Sequence, residues 1–267
     1  MRWLPTRGGA RIKPGRTVFR HIKKGVRRMT PFKDIRARAE QRKGGASALK
    51  KLLPPIAGAK SLIKLGDDRA LAEMAKRVFC AGFAWSVIEA KWPGFEQAFL
   101  GFEPATLAFK PDEFWEALTS DKRIVRNGAK IMSVRDNARF VQQIAGEHGS
   151  FGRLLSNWPS SDEIGLLDLL AKRGSRLGGN TGQMLLRFLG WDGFVTSKDV
   201  VACLRDAGLD IAADVKSKTD LAKVQAQFND WASQTGLSYQ HLSRICAMSM
   251  GENYEASEIH RRATGGD

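Results

Sequence analysis

Apolar residues recur three and four positions apart along most of this chain, and no alternating run long enough to predict a strand is found. Leu71–Trp92 is predicted as one long buried helix, because it is apolar on nearly all sides at its centre, and Pro93 is expected to end it. Pro104 is expected to open a later helix at its first turn. The pattern predicts an all-α protein of roughly ten helices joined by short loops.

Six other segments show helical spacing or a typical helix start: TPFKDIRARAEQRKGG, IVRNGAKIMSVRDNARFVQQIAGEHG, SFGRLLSNW, EIGLLDLLAKRG, KTDLAKVQAQFNDWASQTG and SYQHLSRICAMSM. The last dozen residues show no such signal and are predicted to be frayed. Three parts are expected: a basic leader over residues 1–28, a single all-α domain over 29–255 and a frayed tail over 256–267.

Positive charge is concentrated at the start of the chain. Residues 1–51 carry 17 Lys and Arg against two acids, whereas residues 52–267 carry 26 basic and 26 acidic side chains. Residues 1–28 hold ten bases and no acid, and they lack the apolar stretch of a secretory signal. They are a disordered arm that contacts phosphates, a weak targeting sequence, or no part of the native protein, with Met29 as the favoured start of translation.

Cysteine and histidine usage predicts no metal site. Cys80, Cys203 and Cys246 lack Cys-x-x-Cys spacing and lie in apolar surroundings, so buried reduced thiols in a cytosolic protein are expected. Three cysteines cannot supply the four thiolates of a standard iron–sulfur cluster, and the four histidines are far apart. The longest apolar run, VFCAGFAWSVI, is too short to span a bilayer. We expect a soluble monomer without a metal or cofactor.

The stretch RLGGNTGQMLLRFLGWDGFVTSKDVV, residues 176–201, combines a glycine-rich turn, an apolar helix and a single carboxylate. Glycines let the backbone approach another molecule, and the free amides at a helix start attract a phosphate. The same glycines are also typical of an ordinary turn between packed helices. Asp199 is either an acid that satisfies the dipole at a helix start or a carboxylate that faces a cationic sugar transition state.

This order of elements resembles the helix-hairpin-helix–Asp signature of DNA base-excision glycosylases. Two longer segments, AGFAWSVIEAKWPGFEQAFLGFEPATLA and RIVRNGAKIMSVRDNARF, together with LLAKRGSRLGGNTG, are similar to the DNA-3-methyladenine glycosylase I family over roughly residues 68–200. The resemblance implies a two-lobed helix-hairpin-helix fold, double-stranded DNA with a damaged base as partner, and excision of an alkylated purine. Thr181 stands where bifunctional relatives carry their Schiff-base lysine, so lyase activity is not implied, although the nearby Lys198 keeps this point open.

The resemblance also implies site residues. Asp199 would be catalytic, and Trp85 and Arg77 would line the base pocket. The residues that would contact the DNA backbone are Leu177, Gly178, Gly179, Asn180, Thr181, Gly182, Lys172, Arg173, Arg176, Arg126 and Lys130. A structural role remains open for several of them: core packing for Trp85, and a solvated helix face for Arg126 and Lys130.

The chain departs from the zinc-containing branch of the family. Nothing matches the zinc ligands or the N-terminal pocket aromatics of that branch, and Arg77 stands where its members carry the glutamate that recognises 3-methyladenine. A non-catalytic binder of damaged or bent DNA is therefore the alternative, and a helical protein-interaction domain is a further one.

Overall fold

The computed structural model describes residues 29–263, apart from the side chains of 260, 262 and 263, and the described part is all-α. Its helices are α1 (Phe32–Lys43), α2 (Ala46–Lys51), α3 (Ala59–Ile63), α4 (Asp67–Cys80), α5 (Trp85–Ala98), α6 (Pro104–Leu107), α7 (Asp112–Leu118), α8 (Gly128–His148), α9 (Phe151–Asn157), α10 (Glu163–Arg173), α11 (Asn180–Phe188), α12 (Lys198–Asp206), α13 (Lys218–Thr235), α14 (Tyr239–Ser249) and α15 (Ala256–Ala263). Two short 3₁₀ helices lie at Leu100–Phe102 and Ser160–Asp162. The all-α prediction is confirmed.

The helices pack around two separate hydrophobic cores, which define two lobes. The first lobe comprises α3–α11, with a core that runs from Leu62 to Trp191. The second lobe comprises α1, α2 and α12–α15, and its core draws on Phe32 at one end of the sequence and Ile259 at the other. From residue 29 onward the chain therefore starts in the second lobe, forms the first lobe, and returns to the second through the connection 189–197. The predicted two-lobed arrangement is confirmed.

The predicted helix Leu71–Trp92 is wrong in its continuity. The chain breaks after Cys80 and resumes at Trp85, which exposes residues 81–84. Pro93 lies inside α5 and does not end it. Phe95 and Ala98 are buried beyond the proline, and burial of that face outweighs the single hydrogen bond that a proline cannot donate.

Several smaller expectations are decided by packing. Pro104 opens α6, as predicted, and the acidic residues Asp112 and Glu113 begin α7. Cys80, Cys203 and Cys246 are buried free thiols, as predicted. Residues 256–263, predicted to be frayed, form α15, because Ile259 is buried against the second core. The basic leader 1–28 and residues 264–267 lie outside the described residues. Within the described part, no helix is both long and apolar enough to cross a membrane.

Candidate nucleic-acid interface

The glycine-rich hairpin joins α10 to α11, and a side chain of α8 is hydrogen-bonded to its backbone. The buried amide of Asn137 donates to the Ser175 carbonyl at 3.0 Å and accepts from the Ser175 backbone N–H at 2.7 Å. The next residue, Arg176, has a φ of +62° without being glycine, a conformation that surrounding contacts must enforce. Asn137 was not among the residues singled out in the sequence, because a polar residue on a long helix gives no signal of its partner.

The tip of the hairpin presents backbone to solvent. Gly178, Gly179 and Asn180 are exposed, and no side chain caps the start of α11. Leu177 is fully buried in the first core, and Gly182 packs so closely that a Cβ there would lie 2.6 Å from the Leu177 carbonyl oxygen. The tip is thus anchored by Leu177 and leaves free N–H groups at the positive end of a helix, an arrangement suited to a phosphate oxygen.

The basic residues predicted to contact DNA differ in how free they are. Arg126 and Arg176 are exposed and have no acidic partner within the described residues. Lys172 pairs with Asp168 at 2.5 Å, and Arg173 pairs with Glu147 through two contacts of 2.7 and 2.6 Å. These two cations remain at the surface, but a phosphate would have to compete with carboxylates that already hold them.

Lys130 is a correction to the sequence-based expectation. It is 8% exposed, and its ammonium donates to the carbonyls of Val78, Phe79 and Ala81 at 2.9, 3.1 and 2.5 Å. All three of its donors are therefore used to cap the end of α4. Burial, followed by the nearby charge of Arg176, lowers the pKa of Lys130. The break after Cys80 that the apolar pattern missed is stabilised by this lysine, which offers no free charge to a phosphate.

Asp199 lies in the first turn of α12, after Ser197, whose hydroxyl accepts from the Val200 N–H. Its half-buried carboxylate sits against Gly251, where a Cβ would approach an Asp199 oxygen too closely to be accommodated. Within the described residues no side chain donates a hydrogen bond to the carboxylate and no cation pairs with it. The Asp199 carboxylate is therefore free to accept from a water or to face a developing positive charge.

The connection between α11 and α12 places Asp199 relative to the hairpin. Gln183 of α11 accepts from both the backbone N–H and the hydroxyl of Thr196, each at 3.0 Å. The Ser243 hydroxyl accepts from the Val195 N–H at 3.1 Å. These polar contacts cross between the lobes, so the position of α12 follows from both of them.

Trp85 forms an aromatic pair with Phe188 at a centroid distance of 5.5 Å. The Arg77 guanidinium lies over both rings, 4.7 Å from Trp85 and 4.0 Å from Phe188. Arg77 is 4% exposed, and its Nε lies 2.7 Å from Glu73 without hydrogen-bond geometry. Burial raises the pKa of Glu73, with Arg77 acting against this rise. A base that entered between the two rings would have to separate them, whereas the Trp85 side chain as a whole is partly exposed.

A cavity of ≈ 730 Å³ opens between the lobes at the start of α11. Its walls include Leu167, Gly179, Asn180, Thr196, Lys198 and Val215. Trp85 and Arg77 do not line this cavity, because they contact Phe188 at the other end of α11. Among the described residues, no group of three or more His, Cys, Asp or Glu could hold a metal ion.

Comparison with known proteins matches part of the chain to a protein family. The methyladenine glycosylase family model matches residues 63–165, a range that includes Arg77, Trp85 and Lys130 and ends before the hairpin and Asp199. No curated protein matches the chain.

Solved structures of 3-methyladenine DNA glycosylase I show a distant likeness. One in complex with 3-methyladenine is 23% identical, with 47% of this chain and 78% of that chain covered and a TM-score of 0.42. The enzyme from Staphylococcus aureus is 23% identical over 47% of this chain and 77% of that chain, also at 0.42. A mutant of the Staphylococcus aureus enzyme is 21% identical over 67% and 99%, again at 0.42. The resemblance to the methyladenine glycosylase family is confirmed, and the family model matches residues 63–165 of this chain.

Proposed function

We propose that this protein is a monofunctional DNA glycosylase that releases alkylated purines, such as 3-methyladenine, by hydrolysis of the N-glycosidic bond. The family match over residues 63–165 carries this proposal. The exposed hairpin tip supports it, since free amides at a helix start suit a strand phosphate. The partner is double-stranded DNA with a damaged base, and the protein acts on it as a monomer without a cofactor.

Asp199 carries the chemistry in this proposal. Alkylation at N3 leaves the base positively charged and a good leaving group, so the sugar develops oxocarbenium character as the bond breaks. The unpaired Asp199 carboxylate stabilises that charge and orients the attacking water. Its placement at the α12 start, against Gly251, keeps it fixed before substrate binds.

Arg77 and Trp85 form the base-recognition surface in this proposal. The outer face of Trp85 stacks on the flipped base. Arg77 Nη1 is buried without an acceptor, so it offers a donor where a pocket carboxylate would offer an acceptor. A purine that presents an acceptor along its edge is therefore expected to be preferred over one that presents only donors.

Single-turnover base release from methylated duplex DNA tests the proposal, with 3-methyladenine and 7-methylguanine quantified separately. Asp199→Asn removes the charge with little change in shape, and we expect release to fall about 100-fold or more, the range found when one electrostatic group is lost. Asp230→Asn is the matched control, because Asp230 is an exposed helical acid that contacts only Gln234. Equal release by the wild type and the Asp199 variant would move the chemistry to the pocket around Trp85.

A non-catalytic binder of damaged DNA is the second candidate, and the closed pair Trp85–Phe188 under Arg77 favours it. In a binder the aromatic pair would stay closed and no base would leave. Retained affinity for methylated DNA with no release of either base would support this candidate over the enzyme.

A further inference from the structure

A pair of arginines that the sequence analysis did not single out, Arg187 and Arg244, lies where the two lobes meet. Arg187 follows Gln183 by one turn on α11, and Gln183 is bonded to Thr196 at the entry to the second lobe. Arg244 follows Ser243 on α14, and the Ser243 hydroxyl is bonded to Val195. The two arginines thus come from opposite lobes, each beside a residue that is hydrogen-bonded to the connection 189–197.

Both cations are half-buried and have no counter-charge among the described residues. Within residues 29–263 neither guanidinium has a hydrogen bond or an ion pair, and Arg244 Nε is buried without an acceptor. Burial lowers the pKa of Arg187, and burial together with the charge of Arg187 lowers the pKa of Arg244 to about 10. Two unpaired like charges in such surroundings oppose folding, so they are expected where a ligand supplies the missing charge.

We propose that Arg187 and Arg244 together bind one backbone phosphate of the DNA strand where the two lobes meet. Two guanidinium groups offer planar donor forks that match the oxygens of a phosphate. The hairpin tip lies at the start of α11 and Arg187 near its end, so one helix would contact the strand at two points. That the bound anion is a phosphate of DNA rests on the proposed function.

The test measures binding of the full chain to an undamaged duplex and to an abasic-site duplex over a range of salt concentrations. Arg187→Met and Arg244→Met are each expected to weaken binding about tenfold and to lower the slope of log Kd against log salt by about 0.9, the value for one lost phosphate. Arg36→Met is the matched control, because Arg36 is an exposed cation of α1 paired with Glu40. It is expected to change affinity less than twofold.

Thermal unfolding of the same proteins separates a binding role from a structural one. Removal of an unpaired buried cation is expected to raise the midpoint in the absence of DNA, although binding weakens. Arg187→Lys and Arg244→Lys keep the charge and are expected to keep the slope of log Kd against log salt. They therefore show whether a lower slope in the methionine variants reflects the lost charge and not misfolding. Affinities and slopes equal to those of the wild type in all four variants would overturn the proposal.

Inorganic phosphate distinguishes failure of this inference from failure of the proposed function. Phosphate is expected to stabilise the wild type more than chloride at equal ionic strength, and this difference is expected to vanish in the Arg187→Met/Arg244→Met double variant. An equal difference in both proteins would overturn the anion site. Base release by the wild type tests the glycosylase proposal independently, because it does not depend on either phosphate measurement.

Discussion

At the scale of single residues, buried polar groups set the geometry of the connection between the lobes. Glu163 begins α10 and is 1% exposed, and its carboxyl accepts from the Phe194 backbone N–H at 2.7 Å. Burial raises the pKa of Glu163 well above its usual value of 4.5, although the hydrogen bond from Phe194 acts in the opposite direction. The first lobe therefore binds the connection 189–197 through the Glu163 carboxyl group, whose raised pKa favours the protonated state.

This shift has a definite consequence for stability. The folded state holds the Glu163 proton more tightly than the unfolded state, so stability is greatest below the unfolded pKa and declines as pH rises through the folded value. Glu163→Gln mimics the protonated group and should remove this decline. We expect the variant to unfold at higher urea concentration than the wild type at pH 8, with a smaller difference at pH 4.5.

Glu116→Gln provides the control for that measurement, because Glu116 is an exposed helical acid. Its pH profile is expected to follow that of the wild type. A Glu163→Gln profile that ran parallel to the wild type from pH 4.5 to 8 would contradict the protonated assignment.

At the scale of elements, two glycines of the hairpin differ in the space around them, one tightly packed and one open. A Cβ at Gly182 would lie 2.6 Å from the Leu177 carbonyl oxygen, which is backbone and cannot move alone. A Cβ at Gly178 would lie 3.5 Å from Ala171 Cβ, an ordinary contact. The two positions therefore form a matched pair within one motif.

Gly182→Ala is expected to push the start of α11 away from Leu177, because the added Cβ would crowd the Leu177 carbonyl oxygen. The cost should be on the order of 1–3 kcal/mol of unfolding free energy, as for other overpacked sites, despite the higher helix propensity of alanine. DNA affinity should fall as well, because the free amides of α11 would move. Gly178→Ala should stay within about 0.5 kcal/mol of the wild type, as surface changes do. Chemical denaturation and duplex binding of both variants decide this, and equal stabilities would argue against close packing at Gly182.

At the scale of the whole molecule, positive charge is concentrated before residue 52. Residues 1–28 carry ten bases and no acid, residues 29–51 carry seven bases and two acids, and residues 52–267 are balanced at 26 basic and 26 acidic side chains. Any affinity of residues 52–267 for DNA must then come from local groups such as Arg126, Arg176 and the helix start at the hairpin.

Removal of residues 1–28 is expected to weaken DNA binding and reduce its salt dependence, since phosphate contacts by the leader are lost. Single-turnover base release at saturating protein should stay within about twofold of the full chain, because release rates report transition-state stabilisation and not leader contacts. Absence of salt-dependent DNA affinity in the shortened chain would instead favour a helical protein-interaction domain.

The sequence by itself determined most of the helices and the family resemblance, although not the break between α4 and α5 or the presence of α15. Helical spacing of apolar residues predicts elements such as α10, α13 and α14, because a helix buries one face regardless of its partner. Motif order pointed to the hairpin and to Asp199, which local capping preferences also place at a helix start.

Only the tertiary structure decided which polar groups are free. Lys130 was predicted to contact DNA but caps α4, whereas Asn137, Gln183, Arg187 and Arg244 drew no attention in the sequence. Burial and hydrogen bonding depend on residues far away in the chain, so a local pattern cannot reveal them. For the same reason the break between α4 and α5 required the structure, since the lysine that stabilises it lies on α8.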